Sequence, residues 1–367
     1  MAEAADEAGS QFLILHELVK AARLKLSDDL WDYLTGGADS ETTLRRNRLA
    51  LDALALRPRV LRDVARIDCS GTLFGWKLRI PVVLAPIGSV EVFDPGGAAA
   101  AAAAAAGFGV PTMVSSVSEP GLEATAASAG GHKIFQLYVR GDAAWVDDHL
   151  RRAEAAGYEA FCLTVDTAVY SRRERDIAKR YIPAGRRRDL LGQDYQAALN
   201  WEDVKRVKSK LKIPLILKGI ATAEDAELAC KLGVDCLYVS NHGGRQLDHG
   251  RSAIEMLPEV AAAARGRAQI IVDGGFCRGT DILKALALGA TAVGIGRLYC
   301  YGLAAAGAAG AARVLELLEA EIHTALGLIG AAAITDLDKT CVAAAAPVTV
   351  PHVLSAFPLL DLPERRY

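Results

Sequence analysis

Along the chain, short runs of uninterrupted apolar side chains alternate with longer stretches whose apolar positions recur at helical spacing. The apolar runs are PVVLAP (81–86), VPTMVSS (110–116), KIFQLYV (133–139), EAFCLTVD (159–166), PLILKG (214–219), DCLYVSN (235–241), AQIIVDGG (268–275) and TAVGIG (291–296). Strands with no polar alternation are buried on both faces, as in a parallel sheet covered by helices. Helical segments at 143–157, 222–233 and 254–264 lie between them. Eight βα units predict a single (β/α)₈ TIM barrel rather than an open doubly wound sheet. Polar residues cluster where these strands end: Ser115, Ser116, Gln136, Tyr138, Thr164, Asp166, Lys218, Ser240, His242 and Asp273. Barrel enzymes assemble their sites at that rim, so the pattern places a candidate site before any motif is considered.

Three segments stand outside the repeat. Residues 1–60 read as an N-terminal helical extension. Residues 172–200, rich in Arg and Asp, form the longest connection and a candidate lid after the fourth strand. Residues 345–367 carry several prolines and read as a tail wrapping the surface or a neighbouring subunit. The barrel itself is expected over 81–325. No compositional shift marks a second domain, so the whole of 1–367 reads as one.

Composition narrows the function. With 42 Lys plus Arg against 44 Asp plus Glu, the chain has no overall field to draw nucleic acid or anionic membrane. The seven cysteines (69, 162, 230, 236, 277, 300 and 341) form no CxxC and read as buried thiols of a reducing compartment. MAEAADEAGS lacks the basic-then-apolar order of a signal peptide. The alanine run 98–106 is too short to span a bilayer and reads as a tightly packed helix. A soluble, cytoplasmic protein with no membrane span is expected.

Chemistry concentrates in SNHGGRQLD (240–248) after the sixth strand. His242 titrates near neutrality and can serve as a base. Arg245 follows three residues later, and a guanidinium forks onto a carboxylate. The two glycines between them allow a sharp turn. Lys218, at a buried strand end, calls for an anion nearby. DGGFCRGTD (273–281) and GIGR (294–297) place glycine-rich turns after the seventh and eighth strands, the usual phosphate site of a barrel, with Arg297 behind. No GxGxxG opens a βαβ unit, and no metal is called for. Three residues have plainer readings: Asp166 as a helix N-cap, Tyr33 as helix packing, and Arg173 as part of the solvated face SRRERD.

The SNHGGRQLD string resembles the active-site signature of the FMN-dependent 2-hydroxy acid oxidases and dehydrogenases, the family of glycolate oxidase, lactate oxidase and mandelate dehydrogenase. WDYLTGGADSETTLRRN (31–47), FQLYV (135–139), LTVDT (163–167), LKGI (217–220), DGG (273–275), GTDILKALALGA (279–290) and IGR (295–297) carry the same resemblance in order, from about Leu13 to Leu328. It implies the (β/α)₈ fold, FMN, and oxidation of a 2-hydroxy acid to the 2-oxo acid. By position, His242 resembles the base, Asp166 the carboxylate that orients it, and Tyr138 the phenol near the substrate hydroxyl. Tyr33, Arg173 and Arg245 resemble the groups around the substrate carboxylate. Lys218 matches the cation beside the flavin N1–O2 edge. Ala85, Pro86 and Ile87 match the first-strand backbone beside the flavin, and Ser115, Gln136 and Thr164 its polar contacts. Ser240, Asp273, Gly275, Arg278, Gly296 and Arg297 complete the expected cofactor-binding set.

Three positions depart from the family pattern. Cys277 stands where an arginine usually meets the phosphate, Val117 where a tryptophan often follows the SS pair, and the connection between Arg180 and Trp201 is short beside the family's usual lid. Val117, with Tyr170 refilling part of the space, predicts substrates larger than glycolate, aryl or branched. The alternatives are a decarboxylating lactate monooxygenase, another FMN-barrel enzyme such as an isomerase, and a non-catalytic flavin- or phosphate-binding protein. The electron acceptor, oxygen or another, stays open. A homotetramer or larger homo-oligomer is expected.

Overall fold

The computed structural model describes residues 11–183 and 192–360. The eight apolar runs form eight parallel strands: β1 (Val82–Leu84), β2 (Thr112–Ser115), β3 (Lys133–Leu137), β4 (Ala160–Thr164), β5 (Leu215–Ile220), β6 (Cys236–Val239), β7 (Gln269–Val272) and β8 (Ala292–Ile295). They close in sequence order, β8 pairing back onto β1 through Val293–Val82 and Ile295–Leu84. The (β/α)₈ barrel expected from the sequence is the fold.

Side chains fill the barrel. Val83, Met113, Ile134, Cys162, Ile216, Cys236, Tyr238 and Ile271 form an interior cluster. Leu73 and Leu78 join it from a hairpin, Gly71–Leu73 with Trp76–Leu78, which seals one end. The outer core lies between strands and helices. There the alanine run forms the helix Gly97–Phe108, whose small buried side chains let the long helix Arg297–Ile329 pack close. That long helix is apolar enough by length and composition to cross a membrane. It is instead interrupted by non-helical backbone at Ala306 and Gly307, and two thirds of its apolar window is buried in the fold. It is a core helix.

Outside the barrel, the helices Leu15–Lys25, Asp28–Thr35 and Thr42–Asp52 carry the N-terminal segment to the barrel mouth. The first packs against the long helix; the third ends at a strand, Leu54–Leu56, paired antiparallel with Val342–Ala344. The start of the tail is thereby clipped to the N-terminal extension, a pairing that three-residue strands do not announce in sequence. The tail then returns over its own chain: Phe357 packs edge-on against His16, and the Ala356 carbonyl accepts from Arg278. The lid segment carries the short helices Glu174–Ala178 and Gln193–Ala198. Its centre, 184–191, lies outside the described residues, as do the N-terminal ten residues and 361–367.

Candidate active site

The strand C-termini open into a cleft with about 1600 Å³ of empty space, its open mouth included. The turn after β6 supplies its central group. His242 adopts φ +58°, a left-handed conformation that costs a non-glycine residue on the order of 1–3 kcal/mol. Gly243 and Gly244 continue the turn at φ +64° and +75°. Gly244 must be glycine for a second reason: a Cβ there would meet the Leu44 backbone at 2.6 Å. This close approach docks the N-terminal segment, with the Ala38 N–H donating to the Gly244 carbonyl at 2.9 Å.

His242 is held from both ring nitrogens. Nδ1 lies 3.1 and 3.2 Å from the two Asp166 oxygens, and Nε2 lies 3.1 Å from the Tyr138 hydroxyl. Asp166 approaches because Gly219 follows Lys218 on β5; a Cβ at 219 would sit 2.5 Å from the Asp166 Cβ. Asp166 is therefore a partner of the imidazole, and its backbone carbonyl is further fixed by the Gln246 side-chain amide. Burial lowers the His242 pKa against the opposing pull of Asp166, with the Lys218 charge adding to the lowering. Asp166 feels burial as an upward push, but His242 and Lys218 outweigh it and hold the carboxyl below its ordinary value. The pair is poised with a neutral imidazole over a carboxylate. Burial drives the Tyr138 pKa upward, so its phenol keeps its proton.

Beneath the histidine, Lys218 Nζ donates to Ser240 Oγ at 2.8 Å, and Ser240 Oγ donates to Asp273 at 2.6 Å. The same serine oxygen accepts the His242 N–H at 3.0 Å. Burial disfavours the ammonium, but the charges of Asp273 and Asp166 more than compensate and raise its pKa. The lysine that called for an anion has Asp273 3.7 Å away, and remains a cation at the cleft floor.

Positive charge gathers at the mouth. Arg245 sits over the Tyr33 ring at 5.0 Å and donates one nitrogen to the Tyr33 and Gly36 carbonyls. Burial, with the charges of Arg173 and Arg297, depresses its pKa to about 10. Arg173 lies over the Tyr170 ring at 4.7 Å, and its buried Nε has no hydrogen-bond partner among the described residues. Three guanidiniums repelling one another in a buried cleft favour an anionic ligand. Tyr33 lines the same wall, stacked on Phe93 with its hydroxyl donating to the Gly88 carbonyl at 3.2 Å.

The remaining expected residues separate into three groups. Ala85, Pro86, Ile87, Asp273, Gly275, Gly296 and Arg297 line the cleft. Ser115, Gln136, Thr164 and Ser240 form a buried layer at the strand ends, where Gln136 Nε2 donates to Thr164 Oγ1 at 2.8 Å. Arg278 does not join either group. Its guanidinium pairs with Glu321 at 2.6 Å and donates to the Ala356 carbonyl, because the helix starting at Gly279 turns it towards the long helix and the tail. The expectation that Arg278 binds the cofactor is corrected accordingly.

Arg48, Gln196 and Val353 reach the cleft with no local sequence signal. Arg48, 3% exposed, reaches it from the helix Thr42–Asp52, bonding the Gly275 carbonyl and pairing with Asp281 and Asp52. Gln196 ties the lid to the rim by accepting from the Val139 N–H and donating to the Thr164 carbonyl. Val353 brings the tail to the mouth. Gln246 was within reach of sequence reasoning, being part of the SNHGGRQLD string.

The donor set fits a flavin mononucleotide. Gln136 Oε1 is buried with no hydrogen-bond partner among the described residues, as an acceptor for a ring N–H would be. Lys218 offers a buried cation for the electron-rich edge. The N–H groups of Gly274, Gly275 and Phe276 find no backbone acceptor among the described residues, and the long helix begins at Arg297 without a side-chain cap. Free N–H groups and a helix N-terminus are a phosphate's partners. A model of the FMN-dependent dehydrogenases matches residues 22–344.

The chain belongs to that family.

It is thus an FMN-dependent oxidoreductase. Among its relatives, a peroxisomal (S)-2-hydroxy-acid oxidase of Oryza sativa subsp. japonica is 40% identical over 88% of this chain and 93% of its own length. An L-lactate oxidase of Nostoc sp. is 38% identical over 89% and 96%. The crystal structure of a mandelate oxidase with 3,3-difluoro-2-hydroxy-3-phenylpropionic acid superposes with a TM-score of 0.85 at 39% identity, covering 92% of this chain and all of that one. The barrel is thus shared with this solved relative.

Proposed function

We propose that this enzyme oxidises a 2-hydroxy acid to the 2-oxo acid, with His242 as the base. The observation that carries this is one imidazole bonded to a carboxylate through Nδ1 and to a phenol through Nε2, in a cleft with Arg245 and Arg173. The two arginines hold the substrate carboxylate, Arg245 by a bidentate fork. Tyr138 orients the hydroxyl towards His242 Nε2. The imidazole takes a proton from the substrate there, and Asp166 stabilises the imidazolium that results. FMN, when bound, accepts the two electrons the substrate loses. Lys218 and the Ala85–Pro86–Ile87 wall would hold its ring, and Arg297 with the Gly275 and Gly296 backbone its phosphate. A cation beside the ring favours the added electrons.

The names of the relatives support this substrate class. Val117, a small side chain on the cleft wall, favours a substrate side chain larger than that of glycolate. Tyr170 lines the same space. The final acceptor is proposed to be oxygen or another oxidant, and the enzyme to work as a homotetramer or larger assembly. The cytoplasm is the proposed compartment, in keeping with seven thiols that form no cross-link. Anaerobic mixing with a panel of 2-hydroxy acids tests the reading. Flavin absorbance should bleach, and admitting oxygen should restore it with peroxide if oxygen is the acceptor. A flavin that no 2-hydroxy acid bleaches would overturn the assignment. A decarboxylated product would favour the monooxygenase alternative.

A further inference from the structure

Tyr238 of β6 takes no part in the reaction as proposed, yet the barrel is shaped around it. It stands opposite Lys218 across the β5–β6 pair, fully buried in the barrel interior. Its hydroxyl reaches β8, where a Cβ on Gly294 would meet it at 2.0 Å. A glycine inside a strand weakens that strand, and position 294 has room for nothing larger while this phenol is present. The hydroxyl itself makes no close, well-aligned hydrogen bond among the described residues. Burial, with the Asp273 charge adding to the push, raises its pKa and keeps it protonated. A buried hydroxyl left in this state costs about 1–3 kcal/mol. The side chain is therefore better explained by its ring than by its hydroxyl.

That ring faces a cation. Lys218 Nζ lies 5.2 Å from its centre, within the range at which an ammonium is drawn to the negative face of an aromatic ring. The other neighbours of Nζ are Ser240 Oγ at 2.8 Å and the Asp273 carboxylate at 3.7 Å. Of the three, only the carboxylate neutralises the ammonium; the ring attracts it and leaves its charge intact. Without the ring, the ammonium would close on Asp273, and the cleft floor would lose positive field. We propose that Tyr238 is a positioning residue, whose ring holds the Lys218 ammonium short of Asp273 and so keeps its charge available to the flavin. This rests on the placement of Lys218 against the flavin ring proposed above.

The experiment measures the midpoint potential of FMN in the holoenzyme by equilibrium with reference dyes, with no substrate present. Tyr238→Leu, which removes the ring, should shift the reduction equilibrium about tenfold towards the oxidised form, ~30 mV for a two-electron couple. Tyr238→Phe keeps the ring and should stay close to the wild type. Phenylalanines carrying one, two and three ring fluorines at position 238 keep nearly the same shape while emptying the ring face of negative charge. They should lower the potential step by step, and they keep the proposal testable if Tyr238→Leu folds poorly. In a Lys218→Met background, where no ammonium is left to hold, the Tyr238 substitutions should have no further effect. A fluorine series without a trend, or one that persists in Lys218→Met, overturns the proposal and leaves the placement of Lys218 standing. A potential unchanged by Lys218→Met alone overturns that placement, and this proposal with it.

Discussion

The two ends of the cleft are built differently. At the reacting end, His242, Asp166, Tyr138, Ser240, Lys218 and Asp273 form one connected set of hydrogen bonds, each group contributed by a strand end or the turn after it. At the phosphate end, Arg297 and Arg48 reach the cleft already engaged. Arg297 donates to the carbonyls of Leu34, Gly36 and Gly243, and Arg48 pairs with Asp52 and Asp281. The first end is preorganised around a proton to be moved, with every member satisfied before a substrate arrives. The second offers backbone N–H groups and arginines whose charge is shared with protein oxygens. Damage at the reacting end should therefore appear in the rate of chemistry, and change at the phosphate end in cofactor affinity.

The largest effect is expected at His242. In His242→Ala, FMN should stay bound while anaerobic flavin reduction slows by at least ~10²-fold, the scale of a lost general base. Reduction at the wild-type rate would remove His242 from the mechanism. If instead FMN is lost, the two ends are not separable in the way described.

The pH profile sharpens the same point. The base must be neutral to accept a proton, and burial lowers its pKa below the ordinary 6.5. The reduction rate constant should thus be flat through neutrality and fall only below that value, by about tenfold per pH unit once the imidazole is protonated. Asp166→Asn removes the nearest group that raises the pKa, so the midpoint should move further down as the rate drops. A midpoint above 7 in the wild type would contradict a desolvated neutral base.

Arg245→Lys should act between the extremes. An ammonium cannot reproduce the fork, nor hold the Tyr33 and Gly36 carbonyls and a substrate carboxylate together. Apparent substrate affinity should weaken by roughly tenfold or more, with a smaller change in the limiting reduction rate. Unchanged affinity would show that Arg173 alone anchors the carboxylate.

The same contrast explains what could be read from sequence. Eight apolar runs fixed on both faces by burial, and polar residues at their ends, are periodic signals local to each strand. His242, Lys218 and Asp273 were visible for that reason. Arg48 was not, because its place in the cleft depends on how the helix Thr42–Asp52 docks across the barrel mouth, a contact over 227 positions to Gly275. Arg278 was misassigned for a related reason: adjacency to a glycine turn says nothing of which way a helix N-terminus rotates a side chain, and Glu321 and the tail decide it. The pairing of Leu54–Leu56 with Val342–Ala344 is equally long in range and too short to leave a pattern. Tertiary contacts that no periodicity encodes account for each of these.

Cys277 provides the smallest and most discriminating test of the contrast. Its side chain is 6% exposed, lies at the phosphate end of the cleft, and has burial pushing the thiol up to about 11, so it offers a phosphate neither charge nor a strong donor. The charges of Arg48, Arg297 and Arg278 all act on this position. An arginine placed here would crowd these guanidiniums in the absence of FMN and be relieved by a phosphate carrying close to two negative charges. Cys277→Arg should then lower the FMN dissociation constant about tenfold, by a charge-assisted bond on the order of 1.5–3 kcal/mol less the cost of crowding. The apoprotein should melt at a lower temperature than wild-type apoprotein, and the holoprotein should regain the difference. Riboflavin, which has the ring without the phosphate, should bind the variant no more tightly than it binds the wild type. A titration of both flavins into both apoproteins at fixed ionic strength reads all of this. Equal FMN affinities would mean that Arg297 and the free N–H groups already saturate the phosphate. A gain shared by riboflavin would mean that the substitution acts on the ring or the fold, and that the two ends of the cleft are coupled.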